Sequence, residues 1–363
     1  MCTLKSSYFI DINYMQHTTN KNFRPVVLDI EGLELNNQDI RRITHKLAGG
    51  VILFARNFSN RQQLQKLCAD IKKAAPYIII FIDHEGGRVQ RCKNDGFTHL
   101  PAMRKLGYLY EDNPWNGIQA TKACGYILAS ELRACGIDFS YTPVLDLDYS
   151  SSSVIGDRAF DSNPHITGIL AAHLIEGLTL AGMPNCGKHF PGHGFVAADS
   201  HIDIPIDDRE FKDIWDNDIV PYMLLLDNLD SIMPAHIIYE KVDKHPAGFS
   251  KFWLQDVLRT RLKFQGIIFS DDLAMEGASV AGNVVAGANA ALDAGCDMVL
   301  ICNRFDMADE LLEGLEYKDE YANASIKRLD KILAKKFNYS WDELMSEKHY
   351  VHSKELLKSF GLI

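Results

Sequence analysis

The chain contains no apolar run of the roughly 18–20 residues that a membrane-spanning helix needs. Its first residues, MCTLKSSYFIDINYMQ, hold no uninterrupted apolar stretch, so no secretory signal is read there. Eight cysteines (Cys2, Cys68, Cys92, Cys124, Cys135, Cys186, Cys296 and Cys302) are scattered without one C-x-x-C pair. That spacing excludes a zinc knuckle and a disulfide framework, and implies reduced thiols in a cytoplasmic protein. Basic excess is also missing. Lys and Arg number 38 against 48 Asp and Glu, a net charge of −10. A nucleic-acid footprint would need a basic face, so neither nucleic acid nor a membrane is expected as a partner. No low-complexity linker, internal repeat or second domain is evident.

What is present is a repeating alternation. Short, continuous apolar runs recur at VVLDI (26–30), GVILF (50–54), YIIIFID (77–83), FSYTPVLDL (139–147), PNCGKHF (184–190), SIMPA (231–235), GIIFSD (266–271) and DMVLIC (297–302). Continuous rather than alternating apolarity marks strands buried on both faces. Helical patterns lie between them. In 61–74, Leu64, Leu67, Cys68 and Ile71 share one helix face, and Phe211, Ile214 and Trp215 repeat the pattern in 210–219. Strands alternating with helices imply parallel pairing through crossovers. The first strand runs into EGLELNN rather than a G-x-G-x-x-G turn, which disfavours an open dinucleotide-binding sheet. Eight strands in 363 residues therefore predict an α/β fold, a single-domain (β/α)8 barrel. Residues 1–24 are read as an N-terminal extension, 25–337 as the catalytic barrel, and 338–363 as a helical tail packed on it.

Barrel enzymes place their chemistry where strands end and βα loops converge. Six of the eight predicted strand ends here carry polar groups: Asp83; Asp146 and Asp148; Lys188 and His189; His236; Asp271 and Asp272; and Asn303. A lone strand-end Asp reads equally as a helix cap, and His236 as a satisfied core histidine. Convergence of all of them on one rim argues for an active site. Gly86, Gly87, Gly192 and Gly194 are read as loop positions needing positive φ or close backbone approach. Of the two arginines in DHEGGRVQR, Arg91 is the better ligand contact and Arg88 reads as a surface ion pair.

The stretch GKHFPGHGFVAADSH (187–201) holds three histidines, a lysine and an aspartate. Three readings compete. Metal binding is disfavoured because Lys188 would repel a cation and LDIE replaces the H-x-H of metal-dependent barrel hydrolases. A structural role is open for His193. Acid–base catalysis fits Asp199-Ser200-His201, because residues i and i+2 of an extended stretch share a side and the carboxylate can orient the imidazole. An aspartate such as Asp271 facing that dyad would give the retaining glycosidase scheme.

These motifs resemble those of the β-N-acetylhexosaminidases of glycoside hydrolase family 3, the bacterial single-domain type of cell-wall recycling. The similarity runs from VVLDIEG (26–32) to LDAGCDMVLICN (292–303). It includes GVILFARNF, DHEGGRVQR, GFTHLPAM, VIGDRAF, KHFPGHG with DSH, and FSDDLAMEGA. The resemblance implies a (β/α)8 barrel and two-step retaining hydrolysis with no cofactor and no metal. It assigns the nucleophile to Asp271, a choice that strand alternation alone leaves open between Asp271 and Asp272. His201 becomes the acid/base and Asp199 its orienting partner. Asp83, Arg91, Arg158, Lys188 and His189 match positions that hold a terminal N-acetylglucosamine. The implied substrate is a muropeptide fragment, N-acetylglucosamine on 1,6-anhydro-N-acetylmuramic acid, handled by a monomer. A phosphorylase of the same family and a metal-dependent amidohydrolase-type barrel are the alternatives. His84 stands where a glutamine is commoner in the family, next to the sugar-pocket positions.

Overall fold

A computed structural model describes residues 23–196, 205–275 and 282–363. Ten strands are present among them: β1 (Val26–Asp29), β2 (Ala48–Leu53), β3 (Ile79–Ile82), β4 (Phe139–Ser140), β5 (Cys186–Phe190), β6 (Ile206–Asp207), β7 (Ser231–Pro234), β8 (Ile238–Tyr239), β9 (Ile267–Asp272) and β10 (Met298–Ile301). Eight of them form one parallel sheet in the order β4-β3-β2-β1-β10-β9-β7-β5. The two ends of that order meet across a bridge between Val144 and Lys188. Backbone hydrogen bonds from Cys186 N to Thr142 O (2.9 Å) and from Leu145 N to Lys188 O (2.6 Å) complete the closure. The α/β single-domain barrel expected from the sequence is thus the fold.

Side-chain alternation along the strands explains why the sequence runs are continuously apolar. Val27, Ile79, Phe81, Ile267, Phe269, Met298 and Leu300 point into the barrel. Their neighbours Val26, Leu28, Ile80, Ile82, Ile268, Val299 and Ile301 point out to the helices. Both faces are dry, and each fully buried Ile or Phe contributes about 1.5–3 kcal/mol. Aromatic rings fill the barrel interior. Phe81 stacks on Tyr141 at 5.2 Å and meets Phe269 edge-on at 5.6 Å. Phe23, Leu329 and Ile332 join this inner cluster from outside the strands.

The predicted fourth strand is shortened to two residues. Pro143 has no N–H to give to a ladder, so regular pairing stops before it. Strands β6 and β8 form a separate two-stranded parallel sheet that the sequence runs do not reveal.

The helix over Arg61–Ala74 starts at Asn60, whose side chain accepts from Gln63 N (3.0 Å). It buries Leu64, Leu67, Cys68 and Ile71, the predicted face. The pattern at 210–219 yields a shorter helix, Phe211–Asp216, with Ile214 buried and Phe211 and Trp215 packed against the core. Toward the C-terminus, the helix Lys348–Ser359 lies on the helix Pro114–Ala134, and Tyr350 OH donates to Glu131 Oε1 (2.6 Å). The seven cysteines among the described residues are free and buried. No helix among those residues is long and apolar enough to cross a membrane.

Candidate active site

A cavity of about 220 Å³ opens at the carboxyl ends of the barrel strands. Pockets for drug-sized ligands run to roughly 300–1,000 Å³, so this one suits a single sugar-sized ring. Asp83, Arg91, Arg158, Lys188, His189 and Asp271 all line it, so these six predicted residues are brought together. Asp199 and His201 lie outside the described residues.

The first wall follows β3. Past Ile82 the chain continues extended through Asp83, His84 and Glu85, so Asp83 and Glu85 share a side and His84 takes the other. Asp83 and Glu85 face the cavity, while His84 is buried with its ring 6.4 Å from that of Phe97. His84 does not line the cavity, so it touches the pocket only through its neighbours. Gly86 and Gly87 turn the chain at φ 111° and 54°, values an L side chain resists. The turn sends Arg91 back to Asp83 (3.4 Å). Arg88 goes elsewhere than the expected surface pair alone: it donates to the carbonyls of Ser153 (2.9 Å) and Ile155 (3.2 Å) as well as approaching Asp157 (3.4 Å). Arg88 thereby fixes the loop that carries Arg158.

Glu85 is the residue that reading the sequence missed. Its carboxylate accepts two parallel hydrogen bonds from Arg158, at 2.8 Å each, and one from Lys188 Nζ (2.7 Å). Lys188 Nζ also donates to Asp83 Oδ1 (2.9 Å). Burial alone would raise both carboxyl groups. The Lys188 and Arg91 charges outweigh it at Asp83, and those of Arg158 and Lys188 at Glu85, so both sit below the usual range. Burial would likewise strip the proton from Lys188, but Asp83 and Glu85 keep its ammonium charged. The D-x-E alternation before the glycine pair is the available signal for Glu85.

A second wall comes from the β5 end. Asp146 accepts from His189 N (3.2 Å) and His193 N (2.7 Å), and pairs with His189 Nδ1 (2.7 Å). Burial would raise the Asp146 carboxyl, but His189 draws it below the usual range. Burial lowers the His193 ring instead, keeping it neutral more readily. Gly192 and Gly194 are not flexible points. A Cβ on Gly192 would lie 2.5 Å from Asp218 Oδ1, and one on Gly194 would lie 1.8 Å from Leu147 O. Of the two readings of these glycines, close approach, not positive φ, is what they supply.

Of the remaining candidates, Asp148 accepts from Ser150 N (2.9 Å) in a turn, and His236 is buried with its ring 5.1 Å from that of Phe249. Neither lines the cavity. The third wall is the β9 end. Asp272 Oδ1 accepts from Ala274 N and Cys302 N, each at 3.0 Å, which ties it to the barrel rim. Burial, with the Asp271 charge beside it, pushes its carboxyl up to about 7. The Asp271 carboxylate accepts one hydrogen bond among the described residues, from Asp272 N (2.8 Å), and otherwise faces the cavity. No three His, Cys, Asp or Glu side chains among the described residues converge as a metal cradle.

Comparison with known proteins places this geometry among glycoside hydrolases. The model of the glycosyl hydrolase family 3 N-terminal domain matches residues 23–332. A beta-hexosaminidase of Bordetella avium is 52% identical over 334 residues, covering 92% of this chain and 94% of its own. The structure of NagZ from Neisseria gonorrhoeae, in complex with N-trifluoroacetyl-D-glucosamine, matches with a TM-score of 0.86 and 41% identity. It covers 93% of this chain and 97% of its own. A family 3 beta-N-acetylglucosaminidase from a Paenibacillus species matches with a TM-score of 0.81 and 28% identity, covering 93% and 67%.

Proposed function

Because the chain belongs to glycosyl hydrolase family 3, as a glycoside hydrolase of the β-hexosaminidase group, we propose that it is a retaining exo-β-N-acetylglucosaminidase. Its substrate is a peptidoglycan-derived muropeptide, cleaved between non-reducing N-acetylglucosamine and 1,6-anhydro-N-acetylmuramic acid. The observation that carries this reading is the contrast between the two adjacent carboxylates on β9. Both line a cavity sized for one sugar ring, but Asp272 is held by the amides of Ala274 and Cys302, whereas the Asp271 carboxylate accepts one hydrogen bond among the described residues, from Asp272 N. Asp271 then attacks the anomeric carbon and forms the glycosyl-enzyme, which water hydrolyses with retention of configuration.

The braced set of Asp83, Glu85, Arg158 and Lys188, with Arg91 and His189, offers charged partners to neutral hydroxyls, the stronger class of hydrogen bond. His201 protonates the leaving oxygen and Asp199 orients its ring. A histidine has a pKa near neutrality, suited to giving and then taking a proton. The enzyme acts in the cytoplasm as a monomer on small carbohydrate fragments. Residues 25–337 form its catalytic barrel and 338–363 its tail.

A paired experiment tests this. Asp271→Ala should abolish hydrolysis of an aryl β-N-acetylglucosaminide, and a fluorosugar inactivator should label Asp271 in the unsubstituted enzyme. His201→Ala should lose far more rate on poor leaving groups than on good ones. Full activity in Asp271→Ala, or equal losses across leaving groups in His201→Ala, refutes the assignment of that residue.

A further inference from the structure

The rim between β1, β10 and β9 carries a set of interactions that the proposed chemistry leaves unused. Asn303 follows β10 with φ 59°, a left-handed conformation uncommon for a non-glycine residue and best tolerated by Asn. Two carboxylates from the flanking strands fix that backbone. Asp272 on β9 accepts from Cys302 N (3.0 Å), and Asp29 on β1 accepts from Asn303 N (2.7 Å). Arg56 then joins the backbone to the side chain. Its guanidinium pairs with the fully buried Asp29, donates to Ile30 O (3.3 Å) and donates to Asn303 Oδ1 (2.7 Å). The same guanidinium lies 4.8 Å from the centre of the Phe54 ring, another cavity-lining residue.

This arrangement fixes the Asn303 amide. Arg56 has donors and no acceptor, so the atom facing it must be the carbonyl oxygen Oδ1. The NH2 group is thereby sent the other way. Asn303 lines the cavity and is exposed at its mouth, beside Asp271 and Asp272. No side chain among the described residues accepts from Nδ2. A left-handed backbone held by two carboxylates, for a side chain whose donor group is left to the cavity, is local strain placed at a site of binding.

We propose that Asn303 is a further substrate-binding residue of this enzyme, donating a hydrogen bond from Nδ2 to a hydroxyl oxygen of the terminal sugar, with Arg56 and Asp29 as its positioning residues. The proposal rests on the reading of the site as one for terminal N-acetylglucosamine. It adds a contact from the nucleophile side of the cavity to those offered by the β3 and β5 walls.

The test uses Asn303→Gly, which removes the amide while suiting the positive φ. Asn303→Asp keeps the shape but replaces the donor with an acceptor. Each is assayed with an aryl β-N-acetylglucosaminide and with its 3-, 4- and 6-deoxy analogues. Both variants should lose kcat/KM on the parent glycoside on the order of 5-fold, the worth of one neutral hydrogen bond. The penalty for deleting one particular hydroxyl, present in the unsubstituted enzyme, should vanish in Asn303→Gly. Equal penalties at all three positions before and after substitution overturn the proposal. So does an unchanged kcat/KM on the parent glycoside in both variants. Absence of turnover by the unsubstituted enzyme would instead refute the functional reading on which the proposal rests.

Discussion

Carboxylates held by cations or by backbone amides occur at both ends of this barrel, and the two sets differ in what else they hold. At the amino ends of the strands, an aspartate just before a strand accepts from a backbone amide of the neighbouring one. Asp138, before β4, accepts from Ile80 N (2.9 Å) while pairing with Lys72 (2.6 Å) and Arg133 (3.0 Å). Asp297, before β10, accepts from Ile268 N (2.9 Å) and pairs with Arg259 (2.9 Å) and Arg328 (2.8 Å). Asp230, before β7, accepts from Asn185 N (3.2 Å). At the carboxyl ends, Asp83 and Glu85 pair with side chains and face a cavity instead, and the Asp29–Arg56 pair that holds the Asn303 amide does so for a cavity-lining residue. Similar ion pairs therefore splice strands at one end and pre-position donors for a ligand at the other. The division follows the barrel rule that the lower face serves stability and the upper face function.

The strongest way to break this comparison is at Asp297. Asp297→Ala leaves the partly buried Arg259 and Arg328 without their counter-charge. It should cost about 3–5 kcal/mol of unfolding free energy, read by urea denaturation, with kcat/KM per folded molecule unchanged. An active-site defect at preserved stability would erase the distinction. Glu85→Gln is the matching change at the upper end. There, water in the cavity can solvate Arg158 and Lys188, so the stability loss should be smaller than for Asp297→Ala. Its cost should fall on catalysis, a drop in kcat/KM of about 10-fold or more carried mainly by KM, since charged hydrogen bonds of this kind are worth roughly 1.5–3 kcal/mol. A stability loss as large as that of Asp297→Ala would make Glu85 another splice.

The smallest effect concerns pH. Burial pushes the Asp230 carboxyl from 3.8 up to about 6, so the folded chain holds that proton more tightly than the unfolded one. The group's contribution to stability is full below pH 3.8 and is lost as pH rises through about 6. Asp230→Asn cannot titrate, so its stability relative to the unsubstituted chain should improve between pH 4.5 and 7.5. A pH-independent difference would return Asp230 to an ordinary carboxylate.

Much of the barrel and part of the site are legible in the amino-acid sequence. The barrel follows from continuous apolar runs, because Val26 and Val27, or Ile80 and Phe81, face opposite but equally dry sides. The amino-end splices are not legible, since an aspartate before a strand looks like any turn residue until its neighbour's amide is known. At the site, the glycosidase motifs point to Asp83, Arg91, Arg158, Lys188, His189 and Asp271, which do meet in one cavity. Glu85 is masked by the glycines after it, which draw attention to the turn. Asn303 is visible as a strand-end polar residue, but its meaning depends on Asp29 and Arg56, distant in sequence. The difference between Asp271 and Asp272 lies in the amides of Ala274 and Cys302 that hold Asp272, which no spacing reveals.

The charges lining the cavity have one more effect. Arg91, Arg158 and Lys188 face Asp83, Glu85 and Asp271, with Asp272 raised to about 7 beside them, so cations and anions there nearly balance. Dissolved ions screen a net field over about 10 Å at 0.1 M, and this compartment has little net field to screen. A chain of net charge −10 thus surrounds a pocket whose own lining is close to neutral. Recognition of an uncharged sugar inside it is governed by where donors and acceptors stand, and ionic strength has little purchase on it.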